Sequence, residues 1–202
     1  MFPPHFFDRA DAGDDREFYA FPRFVTHIDD AAIDAVGRLY EELGIGGRVL
    51  DLMSSWVSHF RTPPAELIGV GMNPSELRAN PALTESWVRD LNRDPALPLP
   101  GASIDHAVCC VSVDYLTRPV EVFRDVGRVL RPSGLFVVTF SDRAFPTKAI
   151  RGWLATDDAG HVEIVRAYFA SSGVFADPSA QLRAPPGAAC DPLYAVWAQR
   201  KE

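Results

Sequence analysis

Apolar residues return along this chain at two periods. Ile33, Val36, Tyr40 and Leu43 recur every three or four positions, which places them on one face of a helix. Asp29 or Asp30 can cap that helix, and Gly44 marks its stop. Behind Gly46-Gly47, the short run Val49, Leu50, Leu52 carries one carboxylate, Asp51. Two serines and a stretch with helix-like spacing follow as far as Phe60. The pattern predicts strand, tight turn and helix over 48–60, broken by Pro63-Pro64. A second strand is expected at 67–70. Asn73, Pro74 and Glu76 then form a helix start of cap, first-turn proline and capping-box acid. Residues 87–92 read as a short third strand, and the unbroken apolar run 107–111 as a strand covered on both faces. After Thr117-Arg118-Pro119 a helix presents Val122, Phe123, Val126, Val129 and Leu130, and residues 135–140 form a fifth strand. Further helices are expected around Ile150, Trp153 and Leu154, and through Ile164, Tyr168 and Phe169 to Gly173. Late strands are expected near 174–175 and at 194–197. Strands alternating with helices predict an α/β fold with a doubly wound, mostly parallel sheet and helices on both faces.

The length of 202 residues suits one such domain. The expected division is an N-terminal arm and covering helix over 1–45 and the α/β domain over 46–202. The arm is rich in aromatics (Phe6, Phe7, Phe18, Tyr19, Phe21, Phe24) and broken by prolines. It reads either as a lid over a ligand pocket or as a segment that buries its rings on the domain, and one arm can do both. A formal net charge of −7 argues against nucleic acid or an anionic membrane as the main partner, since both need a basic face. Three cysteines, two of them adjacent (Cys109, Cys110), make no disulfide framework. With no positive leader and no long apolar run at the first residues, a signal peptide is not expected. A reducing, cytoplasmic location is expected. His5, His27, His59, His106 and His161 lack zinc-ligand spacing. Neither Gly-x-Gly-x-x-Gly nor Gly-x-Ser-x-Gly occurs, so nicotinamide dehydrogenase and hydrolase readings lose their main motifs.

Three stretches carry a family resemblance. Val49-Leu50-Asp51-Leu52 resembles the first strand of the class I S-adenosylmethionine (SAM)-dependent methyltransferases. Ile104-Asp105 before the apolar run 107–111 resembles the family's fourth-strand entry. Leu130-Arg131-Pro132-Ser133-Gly134 before an apolar strand resembles a turn that many of its members carry. The similar segments run in order over roughly residues 46–198. Two positions depart from the family. The turn Met53-Ser54-Ser55-Trp56 lacks glycine, and Gly71 stands where an acid usually accepts the ribose hydroxyls.

The resemblance implies a seven-stranded sheet ending in an antiparallel hairpin, SAM as cofactor and a small-molecule acceptor. It implies cofactor contacts at Asp51, Met53, Ser54, Ser55, Gly71, Met72, Asn73, Asp90, Leu91 and Cys110. Asp51 would support the turn beneath the cofactor or simply hydrogen-bond it. Asn73 is an alternative ribose partner that also has a cap to make. Asp90-Leu91 would meet the adenine amino group, or Asp90 would be a solvated strand-end carboxylate. Trp56 would stack in the pocket or plug it. Methyl transfer needs orientation and exclusion of water more than a fixed triad. Where the acceptor is a hydroxyl or amine, a base takes its proton, and Asp114 and Tyr115, after the fourth strand, are the candidates. The competing reading is a methyltransferase-fold protein without transfer activity that serves as a binding or assembly module.

Overall fold

The computed structural model describes residues 2–185 and 190–202. Its elements in order are α1 (Asp15–Phe18), α2 (Asp30–Glu42), β1 (Arg48–Leu52), β2 (Glu66–Gly71), α3 (Pro74–Ala79), β3 (Glu85–Val88) and β4 (His106–Cys110). A 3₁₀ turn (Val113–Tyr115) follows, then α4 (Pro119–Val129), β5 (Leu135–Phe140), α5 (Arg151–Leu154), α6 (Asp158–Ser172), β6 (Ser179–Ala184) and β7 (Leu193–Gln199). The strands form one sheet in the order β3-β2-β1-β4-β5-β7-β6. Every neighbouring pair from β3 through β5 is parallel, whereas β7 runs antiparallel to both β5 and β6.

Alternation along the strands divides the core in two. Leu50, Leu52, Ile68, Val70, Phe136 and Val138 face the layer of α4 and α6. Val49, Leu67, Val108 and Val137 face α2. On α4, Val122, Phe123, Val126 and Val129 are fully buried, each side chain worth roughly 1.5–3 kcal/mol on removal from water. Asp29 caps α2 by accepting from the Ala32 N–H at 2.8 Å, and Gly173 ends α6 in the left-handed conformation. The turn before β5 is also built as its residues suggest. Arg131 N–H donates to the Ile104 carbonyl and Gly134 N–H to the Arg131 carbonyl. A Cβ on Gly134 would stand 2.5 Å from the Asp105 carbonyl oxygen, so only glycine fits there.

Several expectations are corrected. No helix follows β1: residues 53–65 run without regular structure. Ser54 and Ser58 each donate a hydroxyl to Asp51 at 2.7 Å, and Ser54 N–H donates to the Val70 carbonyl. Asn80 Nδ2 reaches the Ser55 carbonyl and the Ser58 hydroxyl. Such bonds offer the backbone an alternative to a helical ladder. The third strand ends at Val88, because its sheet partner, β2, ends opposite at Gly71; Asp90, Leu91 and Asn92 therefore lie beyond it. The penultimate strand is Ser179–Ala184 rather than 174–175. Phe175 makes only an isolated bridge to Arg200 and is buried against Phe136 and Phe169. Glu76 does not close a capping box: its carboxylate accepts from Arg23 N–H at 2.6 Å and from the Ser55 hydroxyl at 2.7 Å.

Candidate active site

Above the carboxyl ends of β1, β2 and β4 lies a cavity of about 280 Å³, near the lower end of the roughly 300–1,000 Å³ common for small-molecule sites. Parallel strands of a doubly wound sheet place a ligand crevice there. One half of its wall comes from Met53, Ser54 and Ser55 after β1, from Gly71, Met72 and Asn73 after β2, and from Asp90, Leu91 and Asn92 after β3. The other half comes from the loops after β4 and β5, including Ser112, Tyr115 and Phe145. The arm supplies the roof through Asp15, Tyr19, Arg23 and His27.

The arm is fastened from both sides. Asn73 Nδ2 donates to the Tyr19 carbonyl at 2.8 Å, while its Oδ1 accepts from Ser75 and Glu76 N–H. Trp56 Nε1 donates to the Val25 carbonyl at 3.0 Å. Asp15 is buried and meets Arg9 at 2.9 Å and the fully buried Lys148 at 3.0 Å. Asn92 Nδ2 adds a bond to Asp15 at 3.0 Å. Burial by itself would raise the Asp15 carboxyl, but bonds from Arg9, Asn92 and Lys148 outweigh it and hold the group below the usual range. Farther out, Phe2 and Phe7 pack on Tyr168. The arm thus both buries rings on the body and roofs the cavity.

Of the expected site residues, Met53, Ser54, Ser55, Gly71, Met72, Asn73, Asp90, Leu91 and Tyr115 line the main cavity. Asp51 and Cys110 do not; they border a smaller space of about 70 Å³ behind the turn. Burial pushes Asp51 up to about 6 even though the Ser58 and Ser54 hydroxyls pull the other way. Asp114 also lies off the cavity wall. It is 3% exposed, its Oδ2 has no hydrogen-bond partner among the described residues, and burial pushes it up to about 8. It is protonated near neutral pH and not placed to act as a base. Tyr115 is on the wall, but its hydroxyl accepts from Phe145 N–H at 2.9 Å and burial raises its pKa. Asn73 has no side-chain atom left over for ribose. Trp56 neither stacks in the main cavity nor plugs it; it holds the arm.

Gly71 is tied to the altered turn. A Cβ there would stand 2.2 Å from the Ser54 carbonyl oxygen. The turn after β1 leans over the end of β2, so the two departures from the family pattern are one structural feature. Pattern reading missed Glu76, Arg23 and His27 as lining residues. For Arg23 and His27 the available signal was basic side chains inside an aromatic stretch that reads either as a lid or as an arm packed on the domain. Among the described residues no cluster of His, Cys, Asp and Glu could hold a metal ion. No helix among them is long and apolar enough to cross a membrane.

Residues 42–138 match the family model of the methyltransferase domain. That match and the strand order place this segment in the methyltransferase domain family, on a Rossmann-like class I methyltransferase fold. Among similar solved structures is an S-adenosylmethionine-dependent methyltransferase from Mesorhizobium loti. It is 19% identical, with 83% of this chain and 100% of that one covered at a TM-score of 0.58. A SAM-dependent methyltransferase from Archaeoglobus fulgidus is 14% identical over 83% and 94%, with a TM-score of 0.60. The 1,6-didemethyltoxoflavin-N1-methyltransferase of Burkholderia thailandensis, solved with 1,6-didemethyltoxoflavin and S-adenosylhomocysteine, is 17% identical over 86% and 80%, with a TM-score of 0.59. No curated protein matches the sequence.

Proposed function

We propose that the protein is a SAM-dependent methyltransferase acting on a small molecule. The observation that carries this reading is the roofed cavity at the strand ends, where the expected cofactor residues after β1, β2 and β3 converge. The donor set there suits a nucleoside. Asp90 Oδ1 is used by the N–H groups of Asn92 and Arg93, which leaves Oδ2 to accept from an amino group. Glu76, buried in the wall, keeps one acceptor position on each carboxylate oxygen beyond those taken by the Arg23 N–H and the Ser55 hydroxyl, and supplies them to hydroxyls in place of the acid missing at Gly71. Ser54 and Ser55 line the side toward β1, with their hydroxyls held by Asp51 and Glu76. Bound there, SAM supplies an electrophilic methyl group. The chain orients the two reactants and, through the arm, excludes water.

Where the acceptor loses a proton, His27 takes it. It borders the cavity, packs edge-on to Phe145 at 5.3 Å, and is neutral near pH 7. Partial desolvation and the nearby Arg23 charge hold its pKa below the ordinary value, against an opposing pull from Glu76. Tyr115 then serves as wall and spacer. Activity is expected to fall as pH drops through a midpoint below the usual histidine value of about 6.5, and a His27→Gln variant should lose that acid limb. An unchanged limb in the variant removes His27 from this role.

Titration calorimetry with SAM and S-adenosylhomocysteine tests the main reading. Saturable one-site binding is expected. No heat at high micromolar ligand would favour the competing reading, a binding module without transfer activity. The Ser54 carbonyl leaning on Gly71 is the observation in favour of that alternative.

A further inference from the structure

We propose that Arg23 anchors an anionic group of the methyl acceptor, so that the substrate is a flat acid such as an aromatic carboxylate. This rests on the methyltransferase reading. Arg23 is half-buried in the cavity roof. Its guanidinium lies 4.6 Å from the centre of the Phe18 ring, 5.4 Å from Phe145 and 5.7 Å from Tyr19. Nη2 donates to the Phe18 carbonyl at 3.0 Å and Nη1 points to the Phe21 carbonyl at 3.4 Å. Those contacts fix the plane of the group and use only part of its five donors.

The other arginines and the lysine around the cavity are already matched. Arg89 pairs with Asp94, Arg143 with Asp191 and Lys148 with Asp11 and Asp15. Among the described residues Arg23 has no carboxylate partner. The nearby acids are engaged elsewhere: Glu76 meets Arg23 only at the backbone N–H, Asp15 is held by Arg9 and Lys148, and Asp90 holds a turn. A planar fork of donors, stacked and partly withdrawn from water, suits a carboxylate in a two-bond arrangement. Phe145, with Tyr115 5.9 Å from it, comes from the loops after β5 and β4 and turns the guanidinium toward that half of the cavity, while the Arg23 backbone N–H stays bonded to Glu76 at 2.6 Å. The same rings offer apolar faces to a flat body.

The amino-acid end of the donor also carries a carboxylate, so the experiment separates the two sources. Calorimetry on wild type, Arg23→Gln and Arg23→Lys would measure S-adenosylhomocysteine, 5′-methylthioadenosine (which lacks that carboxylate), and benzoate and salicylate beside benzamide. The acids and benzamide would be run on both free and S-adenosylhomocysteine-saturated protein. The expected result is acid binding to the saturated wild type, at least tenfold weaker in Arg23→Gln and partly retained in Arg23→Lys. Benzamide should bind weakly throughout, and S-adenosylhomocysteine affinity should stay within about twofold. A tenfold loss of S-adenosylhomocysteine affinity in Arg23→Gln, with methylthioadenosine unaffected, would assign the anchor to the donor and overturn the proposal. So would acids that bind both proteins equally or neither. If wild type bound no S-adenosylhomocysteine, the methyltransferase reading would fall. Acid binding to the free protein that Arg23→Gln abolished would still uphold the anchor.

Discussion

Gly71 lacks a side chain because another part of the backbone occupies the space. Any side chain at this place, the acid expected from the family resemblance included, would push a Cβ to 2.2 Å from the Ser54 carbonyl oxygen. Gly71→Asp should therefore not gain SAM affinity; it should displace the turn. Gly71→Ala is expected to cost about 1–3 kcal/mol in urea unfolding, the usual penalty for overpacking, and Gly71→Asp more. Unchanged stability in either variant would mean that the turn yields freely. The sequence showed the missing acid and the missing glycines as separate departures. It could not show them as one contact, because the residues lie about a strand and a loop apart and meet only through the sheet.

The arm and α3 form the next scale. Asn73 serves both, capping the helix with Oδ1 and holding the arm with Nδ2. Asn73→Ser keeps a good cap but loses the bonds to Tyr19 and Ala20. Stability should fall by only about 1 kcal/mol. Amide hydrogen exchange at residues 19–25 should speed up markedly while α3 remains protected. Equal exchange in both proteins would show that Trp56 and Glu76 hold the arm without Asn73. The cap was legible from Asn-Pro-x-Glu spacing, since capping is local. The second role was not: the same spacing suggested a capping box, yet Glu76 turns to Ser55 and Arg23. The segment after β1 went the same way. Its helix-like spacing was overridden by Asp51, whose buried carboxyl collects the hydroxyls of Ser54 and Ser58.

Across the molecule, stability carries the signature of two raised carboxyls. Asp51 near 6 and Asp114 near 8 keep a proton in the fold that the unfolded chain releases at about 3.9. Over that window the folded state binds more protons, so these groups lower stability as pH rises. His27, His59 and His106, all depressed by burial, act in the opposite direction near pH 6. The Asp114 contribution is best isolated by difference. Asp114→Asn should match wild type near pH 4, and its advantage should widen by up to about 1.4 kcal/mol per pH unit as far as pH 8. Thermal melts across that range check it; a constant gap would place the Asp114 pKa at its ordinary value. S-adenosylhomocysteine, if it binds only the folded state, should raise the melting temperature with the logarithm of its concentration.

The sequence by itself determined the alternation of strands and helices, the caps of α2 and α3, the glycine stop of α6 and the turn into β5. Each depends on neighbours within a few residues or on a period that one buried face imposes. Tertiary structure alone decided where β3 stops, that no helix follows β1, that Asp114 sits behind the wall while Arg23, His27 and Glu76 line it, and that the arm closes the cavity. Those outcomes depend on which groups satisfy one another's hydrogen bonds and charges across the sheet. Contacts of that kind join residues tens of positions apart, beyond the reach of any local spacing.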